Sequence, residues 1–451
     1  MQCQRELKGA IMRDGWVWKK GEHIRNWRLR YFVLMDNGLF LGFKKIGDSH
    51  VNQNAFNVKG CHISVADGVK QFKFTIRCLQ GSSFIERTFY VETESERQEW
   101  VSALQSFSSN LDAIHDTPFN SKRVTLADFE YLQVLGRGTF GKVMLCKDKS
   151  TEKLYAMKII KKEAIATKNQ QNRTLTENKI LKSINHPFLA SLKYSFQTSH
   201  HVCFVMDFVQ GGEIFFHLRQ RTTFSENEAR FYGAEITSAL SYLHSLNIVF
   251  RDIKSENLLL DRSGHIKLVD FGLCKDNLDQ DERTKSFCGT PEYMAPEVIR
   301  RCAYGRSVDW WSLGIVMYEM MCGELPFYHS NYNNLFSLIL IKKPKIPSRL
   351  SKNARDLLTS LLQKNPVQRL GTGKGAQEVK KHPFFDEINW LHLEERKIPP
   401  PFVPQIEDET DTRYFDLDTA SDATSLTPPS SVANFDDEML FRRFSFRDKR
   451  D

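Results

Sequence analysis

The sequence predicts a multidomain protein: a small β-barrel capped by one α-helix, followed by a larger two-lobed domain of α+β structure. Three observations lead to this prediction. Residues 11–108 contain short β-type runs that end in one amphipathic helix. A polar stretch at 109–125 then interrupts the regular patterns. From residue 129 onward, strands give way to long helical patterns.

The first domain, residues 10–108, is predicted from its strands and its closing helix. Runs rich in aromatic and β-branched residues, separated by glycine and asparagine turns, lie at 30–34, 72–76 and 87–91. Thr93 and Glu96 have the spacing of a capping box, which marks the start of a helix. The apolar positions that follow at helical spacing are Trp100, Val101, Leu104 and Phe107. Several strands followed by one amphipathic helix are typical of a barrel closed at one end.

Three further segments complete the predicted organisation. Residues 109–125 form a linker, because Asp116-Thr117-Pro118 breaks any regular element. Residues 129–385 form the larger domain, and residues 386–451 form a tail rich in proline, threonine, serine and aspartate. The tail ends in the sequence FRRFSF at 441–446. Because phenylalanine is costly to expose to water, we expect this end of the tail to dock on the protein.

Composition and cysteine content limit the class of protein. A chain with 41% hydrophobic residues can bury more than one core, which excludes a wholly disordered protein. The net charge of +8 permits contact with an anionic surface without requiring it. No apolar stretch reaches the roughly 18 to 20 residues of a membrane span, and the N-terminus lacks the apolar region of a signal peptide. Nine cysteines without a C-x-x-C pair predict reduced thiols rather than a disulfide framework or a zinc site.

Five short motifs follow one another between residues 136 and 297. They are GRGTFGKV at 136–143, YAMK at 155–158, FRDIKSEN at 250–257, DFG at 270–272 and APE at 295–297. A lone glycine-rich loop also occurs in dinucleotide-binding folds, where a helix follows at once, but here the chain continues as a strand. The complete set in this order is the pattern of ATP-dependent phosphoryl transfer. The chain therefore resembles the protein kinases, and the resemblance implies their two-lobed fold.

The motifs assign residues to ATP. The loop glycines let the backbone approach the phosphates, where side chains would collide, and they are Gly136, Gly138 and Gly141. Val143 is expected to cover the adenine, and Met206 is a further ATP-binding position. Lys158 is expected to contact the α- and β-phosphates, with Glu177 on the next long helix as its partner. Glu213 has two interpretations, contact with the ATP ribose or with the protein substrate.

Phosphoryl transfer also needs a proton acceptor and a cation. Asp252 is placed to accept the substrate hydroxyl proton, with Lys254 beside the γ-phosphate. Asn257 and Asp270 supply oxygen ligands of the kind that Mg²⁺ prefers. A β-hairpin around Arg262-Ser263-Gly264 would bring these two residues together. The complete set argues against a pseudokinase adaptor, which would lack one of the charged catalytic residues.

The resemblance becomes more specific outside these motifs. The segments at 289–297 (GTPEYMAPE), 309–314 (DWWSLG) and 400–404 (PPFVP) are similar to the AGC group of serine/threonine kinases. The N-terminal domain, with Asp14-Gly15-Trp16 and RLRYF at 28–32, resembles a pleckstrin-homology domain. This combination is similar to the protein kinase B (Akt) family, up to the final phenylalanine motif. It implies a serine/threonine protein kinase that upstream kinases activate.

The resemblance implies three phosphorylation sites, which are Ser286, Thr427 and Ser445. The family typically has threonine at the first of these, and Thr284 is an alternative two residues earlier. A phosphate on Ser286 would lie opposite Arg251 and order the activation loop. A phosphate on Ser445 would help the neighbouring phenylalanines dock on the small lobe and steady the helix that carries Glu177.

The resemblance also implies a class of protein substrate. Family positions that receive arginines upstream of the phosphoacceptor correspond to Glu213, Glu256 and Glu319. Carboxylates suit guanidinium groups because their pairing can be bidentate. The expected substrates resemble Arg-x-Arg-x-x-Ser/Thr. We expect a monomer and no nucleic-acid partner.

A basic cluster in the first domain is the expected lipid site. The resemblance implies that Lys19, Arg25, Arg28 and Arg30 bind the headgroup of a 3-phosphorylated inositol lipid, and Arg87 is a further candidate. Arg28 and Arg30 project from the same face of a strand, while Leu29 is expected to point inward. The alternatives are a solvated hairpin face and a domain that binds protein instead of lipid. Lipid binding would recruit a cytoplasmic protein to the plasma membrane, with the nucleus as a further location after activation.

The sequence departs from the family pattern at a few positions. Gly81 stands where the family usually has tryptophan, and the linker is shorter than usual. Both features touch the surface on which the N-terminal domain is thought to fold back on the kinase lobes. Phe250 replaces a tyrosine and keeps the aromatic ring. Relatives form redox-sensitive pairs at the positions of Cys61 with Cys78 and of Cys274 with Cys288, where we expect reduced thiols.

Overall fold

A computed structural model describes most of the chain. The described residues are 10–20, 27–45, 55–58, 61–68, 71–80, 83–115, 124–138, 140–165, 167–276, 284–415, 441 and 444–448. The chain divides into two compact units, residues 1–123 and 124–451, and each is described by itself. Among the described residues, no helix combines the length and apolar character that crossing a membrane requires.

The first unit is an antiparallel sheet closed by a helix. Its strands are β1 (Ile11–Lys20), β2 (Trp27–Met35), β3 (Leu39–Phe43), β4 (Ala55–Asn57), β5 (His62–Gly68), β6 (Gln71–Gln80) and β7 (Ser83–Val91). They lie side by side in the order β4-β3-β2-β1-β7-β6-β5. Phe40 of β3 and Phe89 of β7 are separated by two strands, yet their rings lie 5.7 Å apart. The sheet therefore curls around its aromatic core, as the predicted barrel requires.

Helix α1 (Glu94–His115) closes this core. It begins as predicted, with the backbone amide of Glu96 donating to the Thr93 hydroxyl oxygen at 3.3 Å. Trp100 is fully buried and its ring lies 5.7 Å from that of Phe40. The helix continues to His115, into the segment predicted as a linker, because no proline or glycine interrupts it before Pro118.

One cysteine differs from the prediction of reduced thiols, because Cys61 is disulfide-bonded. The expectation of a reduced thiol is therefore wrong for Cys61, and the side chain of Cys78 lies outside the described residues. The other described cysteines are free: Cys146, Cys203, Cys274, Cys288, Cys302 and Cys322. Sequence spacing missed the bond because no C-x-x-C motif or even cysteine count marks it.

The second unit begins with a small lobe built on a six-stranded sheet. Its strands are β8 (Phe129–Gly138), β9 (Gly141–Asp148), β10 (Leu154–Lys161), β11 (Leu192–Gln197), β12 (His201–Asp207) and β15 (Phe446–Arg447). Their order is β15-β11-β12-β10-β9-β8, so the end of the tail forms an edge strand. Helix α2 (Lys168–Ser183) starts with a capping box in which Thr167 and Gln170 satisfy each other's backbone amides.

The large lobe is mainly helical. Its helices are α3 (Ile214–Arg221), α4 (Glu226–Ser245), α5 (Pro296–Ile299), α6 (Ser307–Cys322), α7 (Tyr332–Ile341), α8 (Lys352–Leu361), α9 (Ala376–Lys380) and α10 (Trp390–Glu394). Helix α6 is buried along nearly its whole length and ends at Gly323, whose φ of 79° gives a left-handed cap. A short hairpin of β13 (Leu258–Leu260) and β14 (Ile266–Leu268) lies at the base of the cleft between the lobes.

Candidate active site

The glycine-rich loop joins β8 to β9, with Gly138 opposite Gly141 in the ladder. A Cβ atom added to Gly141 would lie 1.9 Å from the carbonyl oxygen of Ile159, so this glycine permits close packing against β10. A Cβ atom added to Gly136 would meet open space. The openness at Gly136 suits the approach of a ligand, whereas Gly141 is required by the sheet itself.

Lys158 is the centre of an ion-pair network that spans three elements. Its ammonium nitrogen lies 2.7 Å from Glu177 Oε1 on α2 and 2.9 Å from Asp270 Oδ1. Burial alone would lower the pKa of Lys158, but the charges of Glu177 and Asp270 outweigh burial and raise it. Lys158 in turn lowers the pKa of Asp270. The lysine therefore stays charged, as contact with phosphates requires.

Two residues of the expected adenine site lie beside this network. Val143 of β9 is the cross-strand partner of Lys158, and both side chains lie partly exposed toward the cleft. Met206 near the end of β12 pairs with Ala156 of β10. The ladder thus places Val143 and Met206 on strands that flank β10, the strand that carries Lys158.

The side chain of Asp252 is held by two residues. Its Oδ2 atom accepts a hydrogen bond from the Asn257 amide at 3.0 Å. Its Oδ1 atom accepts from the backbone amide and the hydroxyl of Thr290 at 3.1 and 3.0 Å. Lys254 lies 3.6 Å from Asp252 and donates to the Thr290 hydroxyl at 3.1 Å. Sequence reasoning missed Thr290, although it lies in the quoted GTPEYMAPE segment.

The hairpin brings the two expected cation ligands to one end. The backbone amide of Val269, next to Asp270, donates to the Asn257 carbonyl oxygen at 2.9 Å. The Asn257 amide nitrogen is engaged by Asp252, so its side-chain oxygen remains the acceptor available to a cation. Together with the Asp270 carboxylate, this donor set fits a hard cation such as Mg²⁺.

Asp309 fixes the backbone that leads into the catalytic loop. Its carboxylate accepts from the backbone amides of Phe250 and Arg251 at 2.9 and 2.8 Å. It also pairs with His244 at 2.8 Å. Arg251 and Asp270 both have positive φ, 72° and 60°, which costs backbone energy and must be compensated by such contacts. The sequence offered Asp309 only as part of a family motif, without this role.

The activation segment presents Ser286 at the surface. The Tyr304 hydroxyl donates to the Ser286 carbonyl oxygen at 2.7 Å, and Arg251 donates to the Tyr304 hydroxyl at 3.3 Å. Tyr304, which sequence reasoning missed, thus lies between the expected phosphorylation site and the arginine expected to face it. Thr284 is within 3.2 Å of the Ser286 hydroxyl, and its backbone pairs with Tyr304.

The end of the tail docks on the small lobe. Phe444 is fully buried, and its ring lies 5.0 Å from that of Phe204 in β12. Its carbonyl oxygen accepts hydrogen bonds from Ser195, Asn178 and Lys182 at 2.6, 2.8 and 2.9 Å. Ser445 is exposed beside this anchor. Thr427 lies outside the described residues.

An earlier part of the tail lies against the segment between the lobes. The rings of Phe415 and Phe208 stack at 5.7 Å, and Phe208 follows β12 directly. Gln210 donates to the carbonyl oxygens of Asp408 and Glu409 at 3.0 and 2.8 Å. The sequence analysis predicted no contact for this part of the tail.

The three acidic positions expected to receive substrate arginines differ in burial. Glu319 is only 7% exposed and accepts a 2.8 Å hydrogen bond from the Tyr293 hydroxyl. Burial raises the pKa of Glu319. Glu256 and Glu213 lie partly exposed, the latter at the start of α3. The structure thus leaves Glu213 and Glu256 more accessible than Glu319.

The described lipid-site residues lie at one end of the first unit. Lys19 and Arg28 are cross-strand partners in β1 and β2, and Arg25 lies outside the described residues. The expectation that Leu29 points inward is wrong, because this side chain is 39% exposed. The buried Phe32 lies on the same face of β2 as Arg28 and Arg30. The two arginines therefore lie on the core-facing side of the strand, at the mouth of the barrel. Arg87 is partly exposed on β7.

Comparison with known proteins supports the two-unit organisation. A model of the protein kinase domain matches residues 129–385, and a model of the PH domain matches residues 11–109. The RAC serine/threonine-protein kinase of Drosophila melanogaster is 48% identical, over 97% of this chain and 79% of its own length. The RAC-beta serine/threonine-protein kinase of Homo sapiens is 45% identical, over 97% of this chain and 98% of its own. RAC-beta serine/threonine-protein kinase B of Xenopus laevis is 48% identical, over 94% and 95% of the two chains.

Proposed function

The chain belongs to the RAC (Akt) family of PH-domain serine/threonine protein kinases, and from this premise we propose its substrates, its lipid and its activating modifications. It phosphorylates serine or threonine in Arg-x-Arg-x-x-Ser/Thr-like sequences. Lipids of the 3-phosphorylated inositol class recruit it to the plasma membrane, and phosphorylation at Ser286 and Ser445 activates it. The contact that most supports an active kinase is the pairing of Lys158 with Glu177 and Asp270, at 2.7 and 2.9 Å.

The proposed chemistry depends on the positioning of Asp252. This carboxylate would accept the proton of the substrate hydroxyl, and its bonds to Asn257 and Thr290 fix its orientation before the substrate arrives. Lys254 adds a positive charge 3.6 Å away, where negative charge develops on the transferred group. Mg²⁺, when bound by Asn257 and Asp270, would neutralise phosphate charge.

Selectivity for arginine follows from the acidic side chains around the substrate cleft. Glu213 and Glu256 are the accessible carboxylates of the predicted set, and each can pair bidentately with a guanidinium group. A charge-assisted hydrogen bond contributes about 1.5–3 kcal/mol, which is about tenfold or more in affinity. A peptide with both arginines replaced by alanine should therefore lose at least about 100-fold in kcat/KM. Equal phosphorylation of the two peptides would disprove this assignment.

A lysine-substituted peptide serves as the matched control. Lysine keeps the charge but cannot make the bidentate contact, so it should recover only part of the loss. Full recovery with lysine would assign the preference to charge alone.

Recruitment by lipid is supported by the basic residues at the barrel mouth. Arg28 and Arg30 extend the core-facing side of β2 to the mouth, and Lys19 lies opposite Arg28. Co-sedimentation of the full chain with vesicles should require both a 3-phosphorylated inositide and Arg28, which Arg28→Ala tests. Lysine or arginine near an anionic surface contributes about 1 kcal/mol each by charge alone. Equal binding to any anionic vesicle would therefore contradict headgroup recognition, and no binding would favour a protein-binding domain.

Activation at Ser286 is supported by its exposure and by the Tyr304–Arg251 contact beneath it. A phosphate there would attract the Arg251 guanidinium and order the segment. Ser286→Ala in protein from eukaryotic cells should lower kcat/KM at least about tenfold. If the ordered segment stabilises the transition state by about 1.4 kcal/mol, its loss lowers the rate tenfold. Thr284→Ala is the matched control and should keep most of the activity. The reverse result would assign the site to Thr284.

Ser445 and Thr427 complete the proposed set. Ser445 is exposed next to the buried Phe444, so a kinase can reach it without displacing the anchor. Thr427 enters the proposal through the resemblance alone. Mass spectrometry of the active protein would locate phosphate at these positions, and its absence from Ser445 in a fully active preparation would contradict the proposal.

A further inference from the structure

We infer that the outer side of the first unit's sheet is a second membrane contact, which lies in the interfacial layer of the bilayer once the barrel mouth has bound a headgroup. The inference rests on the proposed lipid recruitment and adds a surface to it. The residues that form this aromatic face are Trp16, Trp18, Trp27, Leu29, Tyr31 and Tyr90. Its expected occupant is a lipid surface.

The alternation of the strands places these side chains together. Val17 of β1 is fully buried in the core, so its neighbours Trp16 and Trp18 point to the outer side. Trp16 is 44% exposed and Leu29 is 39% exposed. Outward-facing positions of a solvated antiparallel sheet are normally polar, so large apolar side chains there indicate an interaction surface.

The rings contact one another across three strands. Trp18 and Tyr90 stack with their centroids 5.6 Å apart and their planes 3° apart. Trp27 meets the same tyrosine edge-on at 4.7 Å, and Trp16 meets Tyr31 edge-on at 5.5 Å. Such contacts restrict the rings to one continuous face rather than leaving them as scattered exposed residues. Three of the seven tryptophans of the chain lie on this face, which makes it a surface with a strong fluorescence signal.

The position of the face favours a membrane over a protein partner. Lys20 pairs with Trp27 across β1 and β2, and Lys19 pairs with Arg28, so the face is continuous with the basic mouth. Anionic lipids would attract these cations while tryptophan and tyrosine enter the headgroup layer, where amphipathic rings are enriched. Asp14, which accepts the Tyr31 hydroxyl hydrogen bond, lies at the far end of the face from the mouth. The charge therefore changes sign along the face, and the basic end is the one that approaches the bilayer.

The decisive variant removes the stacked pair and spares the mouth. Trp18→Thr with Tyr90→Thr keeps β-favouring residues and leaves Lys19, Arg28 and Arg30 in place. Using the full chain, we expect about a tenfold loss of affinity for phosphatidylcholine vesicles that contain a 3-phosphorylated inositide, the effect of losing about 1.4 kcal/mol. Affinity for the soluble inositol phosphate headgroup should change less than about twofold, a difference below about 0.4 kcal/mol.

Two controls define the result. Tyr328→Thr with Tyr332→Thr removes exposed tyrosines of the large lobe, 68% and 59% exposed, and should leave vesicle binding unchanged. Arg28→Ala should lose both headgroup and vesicle binding. A parallel loss of headgroup affinity in the Trp18/Tyr90 variant would mean that the face only supports the mouth, which overturns the inference.

Brominated lipid gives a second measurement, which detects the position of the tryptophans directly. Tryptophan fluorescence of the unaltered chain should be quenched by bromine on the upper acyl chain, and the Trp18/Tyr90 variant should show less quenching. Headgroup binding without quenching overturns the inference and leaves lipid recruitment intact. Failure of the unaltered chain to bind the headgroup refutes recruitment, and the inference with it. Two further outcomes of the Trp18/Tyr90 variant would overturn the inference if vesicle binding is unchanged. A change in mass by light scattering would assign the face to a second copy of the chain, and a change in basal kinase activity would assign it to the kinase unit.

Discussion

The side-chain amide of Asn178 donates a 2.8 Å hydrogen bond to the carbonyl oxygen of Phe444, 266 residues further along the chain. Asn178 follows Glu177 in α2, and Glu177 lies 2.7 Å from Lys158. The buried Phe444 ring meanwhile packs on Phe204 of β12. The end of the tail is thereby tied to the helix whose position sets the Lys158–Glu177 pair.

Replacement of Asn178 tests this connection. Asn178→Ala removes one of three donors to the Phe444 carbonyl oxygen, which should weaken tail docking by about 1 kcal/mol. We expect the tail to be cleaved faster by a protease and kcat/KM for a peptide substrate to fall about fivefold, as that energy allows. Asn333→Ala, at an exposed position of α7, is the control. Unchanged kcat/KM together with faster cleavage would show that docking and catalysis are independent.

Local patterns led to residues whose contacts follow from strand or helix geometry. The β13–β14 hairpin explains why Asn257 and Asp270 lie at the same end of that hairpin. The succession of β10 and α2 along the chain predicted that Lys158 pairs with Glu177. Asp309 contacts residues that are 58 and 59 positions away in the sequence. Local periodicity cannot predict contacts between residues so far apart in the chain. Those made by Thr290 and Tyr304 are missed for the same reason.

Backbone acceptors and sheet faces set a second limit on prediction. Phe444 is held partly through its carbonyl oxygen, which every residue possesses, so the sequence carries no sign of that role. Strand alternation predicts that Arg28 and Arg30 lie on one face of β2. It does not predict which face of the strand meets the core. The 39% exposure of Leu29 decides this, and the burial of Phe32 on the opposite face agrees with it.

Replacement of Asp252 tests the proposed proton acceptor. Asp252→Asn keeps the size of the side chain and one acceptor oxygen, which can still accept from Thr290, but its amide nitrogen cannot accept the hydrogen bond from Asn257. The substitution also removes the basic carboxylate. Loss of a general base reduces rate by about 10²–10⁴, so kcat should fall by that range while ATP affinity stays unchanged. Asp261→Asn, in the hairpin turn, is the matched control and should keep kcat. Steady-state kinetics with nucleotide titration gives both quantities, and a decrease of less than tenfold would exclude Asp252 as the base.

A buried ion pair in the large lobe should govern stability rather than chemistry. Arg369 is 1% exposed and donates to both carboxylate oxygens of Glu297 at 2.6 and 2.9 Å. Arg369→Ala leaves a buried carboxylate without its partner, which should cost about 3–5 kcal/mol of unfolding free energy. Denaturant unfolding measures the loss.

The double replacement of this pair separates the charge effect from packing. Arg369→Met with Glu297→Leu removes both charges and should lose less than Arg369→Ala, because no unpaired charge remains buried. A larger loss in the double variant would show that packing and the further bond from Arg369 to Ser307 dominate.

The stability of the kinase unit should depend on pH through His186. Burial lowers the pKa of His186 to about 4. The positive charges of Lys267 and Lys380 also lower it, whereas the negative charge of Glu394 raises it. Its ring accepts a hydrogen bond from the Phe188 amide at 3.3 Å and stacks on Tyr242. Because the unfolded chain takes up the proton first, near its ordinary pKa of about 6.5, stability is full above that pH and falls as the pH approaches 4. Between pH 7 and pH 5 the loss should be about 2 kcal/mol.

The His186 contribution can be isolated with a neutral substitute. His186→Gln retains an acceptor for the Phe188 amide but does not titrate, so its urea midpoint should change less between pH 7 and pH 5 than that of the unaltered chain. His392→Gln, at an exposed position of α10, controls for the removal of an imidazole. The same pH dependence in His186→Gln and the unaltered chain would mean that other groups, such as the buried His201, carry the acid sensitivity. Burial also lowers the pKa of His201, so the double variant with His201→Gln would then be the more pH-resistant one.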